Sequence, residues 1–268
     1  MEKNNITIGF IGFGRMGAVL GGALVDSGAV RARDMVVYDQ DRTKRRLLKG
    51  ARWTYSAQEV VDRARTVFLC VRPLDVAEVA RSITVHKDTI VISIAVGVRL
   101  SLLRRWFGNN VMRVIPSYTQ KVRSGVLLYY HRKVVNQQGV KNIINLLKHT
   151  GDPIFVQEKL FEAATDLSSC SPAFWAYMVE AFVREATRLG LPRTTAQRIA
   201  TQSLLGTAKI LVQENDLTRV IDHVATPGGI TREGVNALEQ DFPATVKKVF
   251  LVTEKKYSSL RKKIAQSV

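Results

Sequence analysis

A glycine-rich turn near residue 12 restricts the fold of this chain more than any other feature of its sequence. The apolar run Ile6–Ile11 has the composition of a strand, Gly12 to Gly17 follow as Gly-Phe-Gly-Arg-Met-Gly, and a helical pattern continues to about Ser27. In such a unit the first glycine permits a tight turn, the second lets a pyrophosphate approach the backbone, and the third lets helix pack on strand. Free N–H groups at the helix start also favour phosphate. The turn predicts a Rossmann domain that binds a dinucleotide.

Strand and helix signals alternate through the first half of the chain. Near-continuous apolar strands separated by helices are typical of a parallel sheet covered by helices on both faces. We therefore predict an α/β fold with an N-terminal Rossmann domain over residues 1–158. The later predicted strands are Met35–Tyr38, Thr66–Val71, Thr89–Ala95, Val111–Ile115, Val126–Tyr130 and Pro153–Val156, and a charged helix is predicted over Asp41–Lys49.

Helical spacing of apolar residues prevails from residue 159 onward. Gly190-Leu-Pro192 ends one helix and begins another, because glycine favours helix ends and proline favours helix starts. We predict an all-helical C-terminal domain over residues 159–268 that completes its core by pairing with a second copy, as a homodimer or a higher homo-oligomer. The predicted helices are Lys159–Gly190, Thr194–Val212, Leu217–His223, Thr231–Gln240 and Pro243–Ile264.

The composition points to anionic partners inside the cell. The net charge of +17 attracts phosphates and carboxylates, but the basic residues are spread along the chain without a nucleic-acid-binding motif, so a nucleic-acid partner is not expected. No secretory signal and no apolar run of about 20 residues is found, so no membrane partner is expected. Cys70 and Cys170 are too few for a disulfide framework, and the four histidines lack metal-ligand spacing. These features predict a cytoplasmic protein without a metal.

The end of the second predicted strand bears on the choice of dinucleotide. Asp39 follows this strand, where a carboxylate bonds the ribose 2′-hydroxyl of NAD and repels a 2′-phosphate. Arg42, Lys44 and Arg45 follow at once, and their charges suit the 2′-phosphate of NADP. Because Asp39 favours NAD and the basic cluster favours NADP, the residues leave both cofactors open.

Two segments of the helical half are candidate substrate sites. Thr226-Pro-Gly-Gly229-Ile-Thr231 precedes a helix, and such a turn presents backbone N–H groups to an anion such as a carboxylate. The alternative role of Thr231 is a plain helix N-cap. Ser168-Ser-Cys-Ser171 places small residues inside a helical pattern, which permits close approach by a ligand or by a partner helix.

These motifs together resemble the pyrroline-5-carboxylate reductase family over nearly the whole chain. The resemblance lies in the glycine turn, Val71-Arg-Pro73, Gly190-Leu-Pro192 and, most specifically, Thr226-Pro-Gly-Gly-Ile-Thr231. Arg113-Val-Ile-Pro-Ser117 and Ser169-Cys-Ser-Pro-Ala-Phe174 resemble its late-competence (ComER-like) branch. The resemblance implies an oxidoreductase that uses NADP or NAD to reduce the C=N bond of an imino acid, 1-pyrroline-5-carboxylate, to proline.

The resemblance also implies a role for each site residue. Thr231 would be the catalytic group, which orients the ring nitrogen of the imine, and the helical domain would intertwine with that of a second subunit. The substrate would be held by Thr226, Gly228, Gly229, Ile230 and Ser171, and the cofactor by Gly12, Phe13, Gly14, Arg15, Met16, Gly17, Asp39, Val71, Arg72, Pro73 and Ala95.

Two segments depart from the family pattern. Where family members usually read Met-Pro-Asn-Thr-Pro, this chain has Ile115-Pro-Ser-Tyr-Thr119. Where they usually read Ser-Gly-Ser-Gly-Pro-Ala-Tyr, it has Ser168-Ser-Cys-Ser-Pro-Ala-Phe174. Because side chains at glycine positions narrow a site, two alternatives stay open. One is a different imine, or a keto or hydroxy acid, as substrate; the other is a weakly catalytic, competence-linked regulatory homologue.

Overall fold

The chain forms two units, which the computed structural model describes over residues 8–132 and 135–267. The sheet unit comprises Met1–Cys170 with Glu254–Val268, and the helical unit comprises Ser171–Thr253. Ile6 and Thr7, at the start of the first predicted strand, lie outside the described residues. The last helix of the chain supplies residues to both units, so the sheet unit draws on both halves of the sequence.

An eight-stranded sheet forms the centre of the sheet unit, counted over the described residues. Its strands are β1 (Ile8–Ile11), β2 (Met35–Tyr38), β3 (Arg52–Trp53), β4 (Thr66–Leu69), β5 (Ile90–Ser93), β6 (Val111–Ile115), β7 (Gly125–His131) and β8 (Gly151–Phe155). They are ordered β3-β2-β1-β4-β5-β6-β7-β8. The chain leaves β1 on one side to reach β2 and returns on the other to form β4. In open sheets of this kind, ligands bind at the carboxyl ends of the strands beside such a reversal.

The pairing of β7 corrects the prediction of a wholly parallel sheet. The other pairs are parallel, but β7 runs antiparallel to β6, with Ile115 opposite Leu128. A short 3₁₀ helix, Tyr118–Val122, reverses the chain between them and ends at Arg123 in the left-handed region. This tight reversal replaces the long helical crossover that a parallel connection requires.

Helices cover the sheet, and apolar side chains fill both of its faces. In the sheet unit they are α1 (Arg15–Asp26), α2 (Ala57–Arg63), α3 (Val76–Ser82), α4 (Leu100–Phe107), α5 (Gln137–Leu147) and α6 (Phe161–Thr165). Phe10 stacks on Phe68 with ring centroids 5.1 Å apart, and the ring of Phe13 packs edge-on against Phe10. All three rings are fully buried, which makes them the centre of one face of the core.

Four helices form the helical unit in whole or in part: α7 (Ser171–Arg188), α8 (Arg193–Glu214), α9 (Leu217–Val224) and the first part of α10 (Ile230–Gln266). A π-helix, Asp166–Cys170, precedes α7. The predicted helix end at Gly190 is confirmed, since Gly190 has φ +98° and the N–H of Leu191 bonds the carbonyl oxygen of Ala186. That geometry closes a helix with its last carbonyls satisfied.

One predicted helix and one predicted break between helices are wrong. Asp41–Lys49 forms only a 3₁₀ helix, Arg42–Leu47, in which the Asp41 side chain accepts a hydrogen bond from the Thr43 N–H. The predicted break before Pro243 is absent, because α10 continues through this proline. An interior proline removes one hydrogen bond and its ring crowds the carbonyl four residues back, which favours a break, but the helical hydrogen bonds resume on either side of Pro243.

Candidate functional site

The glycine turn joins the end of β1 to the start of α1. Gly12 has φ +84°, and a Cβ there would lie 2.8 Å from the backbone oxygen of Cys70. A Cβ on Gly17 would lie 2.9 Å from the oxygen of Gly12, so α1 packs closely against the turn. A Cβ on Gly14 would meet open space. Gly12 and Gly17 therefore serve the fold, while Gly14 leaves the backbone open to a ligand.

A first cavity of about 450 Å³ lies on one side of this turn. Five of the predicted cofactor residues line it: Gly12, Gly14, Asp39, Val71 and Arg72. These residues follow three neighbouring strands, and the fold brings them together because the carboxyl ends of β1, β2 and β4 meet at one edge of the sheet. Burial raises the pKa of the Cys70 thiol in the same wall, so this thiol stays neutral.

The Asp39 side chain is engaged within the protein. Its carboxylate accepts hydrogen bonds from the Phe13 N–H at 2.6 Å and from the Asp41 N–H at 2.9 Å. The Nζ of Lys44 lies 2.9 Å and 3.0 Å from the two carboxylate oxygens. Asp39 thereby ties the end of β2 to the glycine turn.

A second cavity of about 530 Å³ begins on the other side of the turn, at Arg15 and Met16. Ile115, Pro116, Tyr118 and Ser169 also line it, so the two segments that depart from the family pattern meet here. They are in direct contact, because the Ser169 hydroxyl donates a hydrogen bond of 2.6 Å to the carbonyl oxygen of Pro116. Each segment is evident in the sequence, but their contact is not.

Four predicted cofactor residues, and Ser171 of the predicted substrate site, line neither cavity. Phe13 contributes its N–H to Asp39 while its ring is buried in the core, and Gly17 is buried within the first turn of α1. Pro73 begins a 3₁₀ helix after β4, and Ala95 lies buried just after β5. Ser171 is buried at the start of α7, in the helical unit.

The Pro-Gly-Gly turn connects α9 to α10 within the helical unit. Gly228 has φ +74°, and the Gly229 N–H bonds the carbonyl oxygen of Thr226. Thr226 and Thr231 are both exposed. The N-cap alternative for Thr231 is wrong, since α10 already begins at Ile230.

Arg232 forms hydrogen bonds that stabilise this turn, a role that was not predicted from the sequence. Its Nε donates to the carbonyl oxygen of Ala225 at 3.0 Å, and a terminal nitrogen donates to Asp222 at 2.9 Å. A cation at this place also satisfies the carbonyl end of α9. Nothing in the local sequence marks Arg232, because the contact spans a turn whose geometry is not evident from composition.

A buried polar cluster joins the π-helix to the end of α10 inside the sheet unit. The Tyr257 hydroxyl donates to Asp166 at 2.9 Å and lies 3.6 Å from the sulfur of Cys170. Burial, together with the hydrogen bonds to Cys170 and Asp166, raises the pKa of Tyr257 above its usual value. Burial also raises the pKa of Cys170, so both groups stay protonated at neutral pH.

Neither a metal centre nor a membrane span is found in residues 8–132 and 135–267. No group of three or more His, Cys, Asp or Glu side chains is placed to hold a metal ion. No helix of this part of the chain is both long enough and apolar enough to cross a bilayer.

Two family models match the chain. The model described as pyrroline-5-carboxylate reductase dimerisation matches residues 158–260. The model described as NADP oxidoreductase, coenzyme F420-dependent, matches residues 7–97. Together they cover both the glycine turn and the Pro-Gly-Gly turn.

Curated relatives align over most of the chain. A pyrroline-5-carboxylate reductase of Escherichia coli (strain K12) is 32% identical over 248 residues, which cover 90% of this chain and 91% of that protein. ComE operon protein 4 of Bacillus subtilis (strain 168) is 30% identical over 258 residues, 93% of this chain and 94% of the relative. The second relative accords with the resemblance to the late-competence branch.

Solved structures share the fold. Pyrroline carboxylate reductase of Plasmodium falciparum, with NADP bound, superposes with a TM-score of 0.88 at 22% identity, covering 96% of this chain and 98% of that one. A 1-pyrroline-5-carboxylate reductase of Streptococcus pyogenes gives 0.84 at 24% identity, with 94% and 98% covered. At these identities the likeness establishes architecture.

Proposed function

This chain belongs to the pyrroline-5-carboxylate reductase family, and we propose that it is an NAD(P)-dependent reductase that converts 1-pyrroline-5-carboxylate to L-proline. The observation that carries the proposal is the 32% identity to the Escherichia coli enzyme over 90% of the chain. The relatives do not favour the two alternatives, a different substrate or a weakly catalytic regulatory homologue.

The residues around the glycine turn fit a dinucleotide. Gly14 leaves room beside the backbone. No side chain caps the first N–H groups of α1, so these groups remain available to bind a pyrophosphate. The two cavities flank the turn, one for each half of the cofactor. Val71, Arg72, Pro73 and Ala95 would line the bound dinucleotide. When bound, its nicotinamide supplies the hydride that reduces the imine carbon.

The Pro-Gly-Gly turn would hold the substrate. Thr226, with the backbone N–H groups of Gly228, Gly229 and Ile230, would bind the carboxylate, as an oriented set of N–H groups binds an anion. Thr231 would hydrogen-bond the ring nitrogen and orient the imine. Ser171 would complete the substrate contacts. Orientation of this kind lowers the barrier to hydride transfer, because the translational and rotational entropy of the imine is already lost on binding.

The assembly would be a homodimer or a higher homo-oligomer in which each site draws on both subunits. Residues 1–158 would form the dinucleotide-binding domain and residues 159–268 the dimerisation and substrate-binding domain, although residues 159–170 and the end of α10 from Glu254 pack in the sheet unit. The matched dimerisation model supports this division. We also propose a cytoplasmic location, which the two free cysteines and the biosynthetic role of the relatives support.

The test is oxidation of NADPH and NADH by the purified chain with 1-pyrroline-5-carboxylate, followed by the absorbance of the reduced cofactor. Rapid turnover is expected, and Thr231→Ala should lower kcat/KM by about 100-fold because it removes the group that orients the imine. Thr245→Ala is the matched control, since Thr245 is an exposed threonine of the same helix. Absence of turnover with this imine, together with turnover on a keto acid, would overturn the proposal.

A further inference from the structure

The Asp39 carboxylate has no acceptor capacity left for a ribose. An ionised carboxylate offers about four lone-pair sites. In this chain four contacts use them: the N–H groups of Phe13 and Asp41, and two from the Lys44 ammonium. The Asp39 side chain is only 8% exposed. A ribose 2′-hydroxyl could bond this carboxylate only by displacing one of these partners.

The hydrogen bond from the Phe13 N–H indicates that Asp39 positions the glycine turn. Phe13 lies between Gly12 and Gly14, so its N–H belongs to the turn that would approach the pyrophosphate. The ring of Phe13 is buried against Trp53, which fixes the residue from the other side. Asp39 is therefore a positioning residue for the turn.

Lys44 changes the charge that a dinucleotide would meet at this end of the first cavity. Its ammonium neutralises Asp39, so the carboxylate no longer repels a phosphate placed beside it. Lys44 lines the cavity, its side chain is 29% exposed, and an ammonium group carries three N–H donors. Arg42 and Arg45 add positive charge nearby, over the ring of Tyr55.

We propose that the Asp39–Lys44 pair makes this chain select NADP over NAD. Asp39 holds the glycine turn, and Lys44 donates to the 2′-phosphate that only NADP carries. A residue that on sequence grounds favours NAD therefore takes no part in ribose recognition. The inference rests on the proposed dinucleotide site but does not depend on the imine substrate.

The test is isothermal titration calorimetry of the purified full-length protein with NADP⁺ and NAD⁺, without imine. Wild type should bind NADP⁺ at least about tenfold more tightly, the value of one charge-assisted hydrogen bond. Lys44→Met should raise the Kd for NADP⁺ about tenfold and leave that for NAD⁺ unchanged or lower, because it frees two acceptor sites of Asp39. Lys49→Met is the matched control, because Lys49 is an exposed lysine that does not line the cavity, and it should preserve the preference.

Asp39→Asn separates the two roles of the carboxylate. An asparagine still accepts the Phe13 N–H, so the preference for NADP⁺ should persist, whereas a ribose-binding carboxylate would make this variant lose affinity for NAD⁺ selectively. That selective loss, or a Lys44→Met variant that keeps its preference, would overturn the inference. Selective binding of NADP⁺ by a chain that does not reduce the imine would refute the proposed reaction and leave this inference standing.

Discussion

The sheet unit and the helical unit bury their apolar residues to very different degrees. In the sheet unit the strands β1, β4 and β5 are buried along their whole length, and both faces of the sheet carry a packed cluster. In the helical unit Val183 and Ala196 are buried, but Phe182, Leu189 and Val212 are more than 60% exposed. An apolar groove of about 590 Å³ runs between α7 and α8.

The difference teaches that one unit completes its core within a single chain and the other does not. Exposed apolar patches of this extent mark interaction surfaces. The matched dimerisation model covers the same helices, which supports a second copy of the chain as the covering surface. An apolar residue changed in the sheet unit should therefore lower the stability of the fold, whereas one changed on the exposed face of the helical unit should weaken assembly.

The largest effect is expected from a cavity in the core of the sheet unit. Phe10→Ala removes a fully buried ring that packs on Phe68 and Phe13, and should cost about 3–5 kcal/mol of unfolding free energy. Urea unfolding followed by circular dichroism measures it. Tyr55→Ala, at an exposed aromatic residue of the same unit, should cost no more than about 1 kcal/mol, because it removes only the exposed contacts of this ring with Arg42 and Arg45. Equal losses in both variants would contradict the comparison.

A charge on the exposed face of the helical unit should act on assembly instead. Phe182→Asp should weaken dimerisation by about 100-fold or more, because an unpaired carboxylate would be buried in the interface. Sedimentation velocity over a range of concentrations measures the change. Val122→Asp makes the same substitution type at an exposed apolar residue of the sheet unit and should leave the dimer intact. A dimer unaffected by Phe182→Asp would mean that another surface joins the copies.

Much of the sheet unit could be predicted from sequence because its strands are short, apolar and bounded by turn residues. β2 and β6 begin and end where the composition placed them. β3 was missed because two residues, Arg52 and Trp53, carry no pattern. The antiparallel direction of β7 was missed because strand composition does not encode direction. It depends on the reversal at Arg123, where the backbone turns left-handed without a glycine.

The glycine turn offers a sharper test within the sheet unit, because substitution of Gly12 should lower stability whereas substitution of Gly14 should lower dinucleotide affinity. Gly12→Ala places a Cβ 2.8 Å from the Cys70 oxygen at positive φ and should cost about 2 kcal/mol of stability. Gly14→Ala meets open space, so stability should be unchanged while dinucleotide affinity falls about tenfold. Thermal unfolding and cofactor titration of both variants distinguish the roles. Loss of stability in Gly14→Ala would show that this glycine serves the fold.

The smallest effect concerns Tyr257, where α10 belongs to the sheet unit. An unfolded tyrosine ionises near pH 10, whereas burial and the bonds to Cys170 and Asp166 keep this one neutral to higher pH. The fold holds the proton more tightly, so its stability should be fully present below pH 10 and decline as the pH rises above it. Urea unfolding at pH 8 and at pH above 10 should show a smaller decline for Tyr257→Phe than for wild type. Tyr55→Phe, at an exposed tyrosine, should follow wild type; a Tyr257→Phe decline as large as that of wild type would exclude this group.

The candidate site could be predicted only where it is local in sequence. The glycine turn and the Pro-Gly-Gly turn each lie within six consecutive residues, so both could be recognised from the amino-acid sequence. The Asp39 contact with Phe13, the Ser169 contact with Pro116 and the Arg232 contact with Ala225 join residues that a folded backbone brings together. Asp39 shows the consequence, since its position was predicted correctly but its hydrogen-bond partners were not.

The final turns of α10 make the sheet unit dependent on the order of synthesis. Tyr257 and Ile264 are buried in that unit, and Ile264 packs in the cluster that contains Val98 and Leu100. A ribosome reaches them only after it has made the whole helical unit. Domains usually fold as they emerge, the earlier one first. In this chain the nascent sheet unit stays incomplete until the helical unit has been synthesised, and the apolar surface that Ile264 covers stays exposed until then.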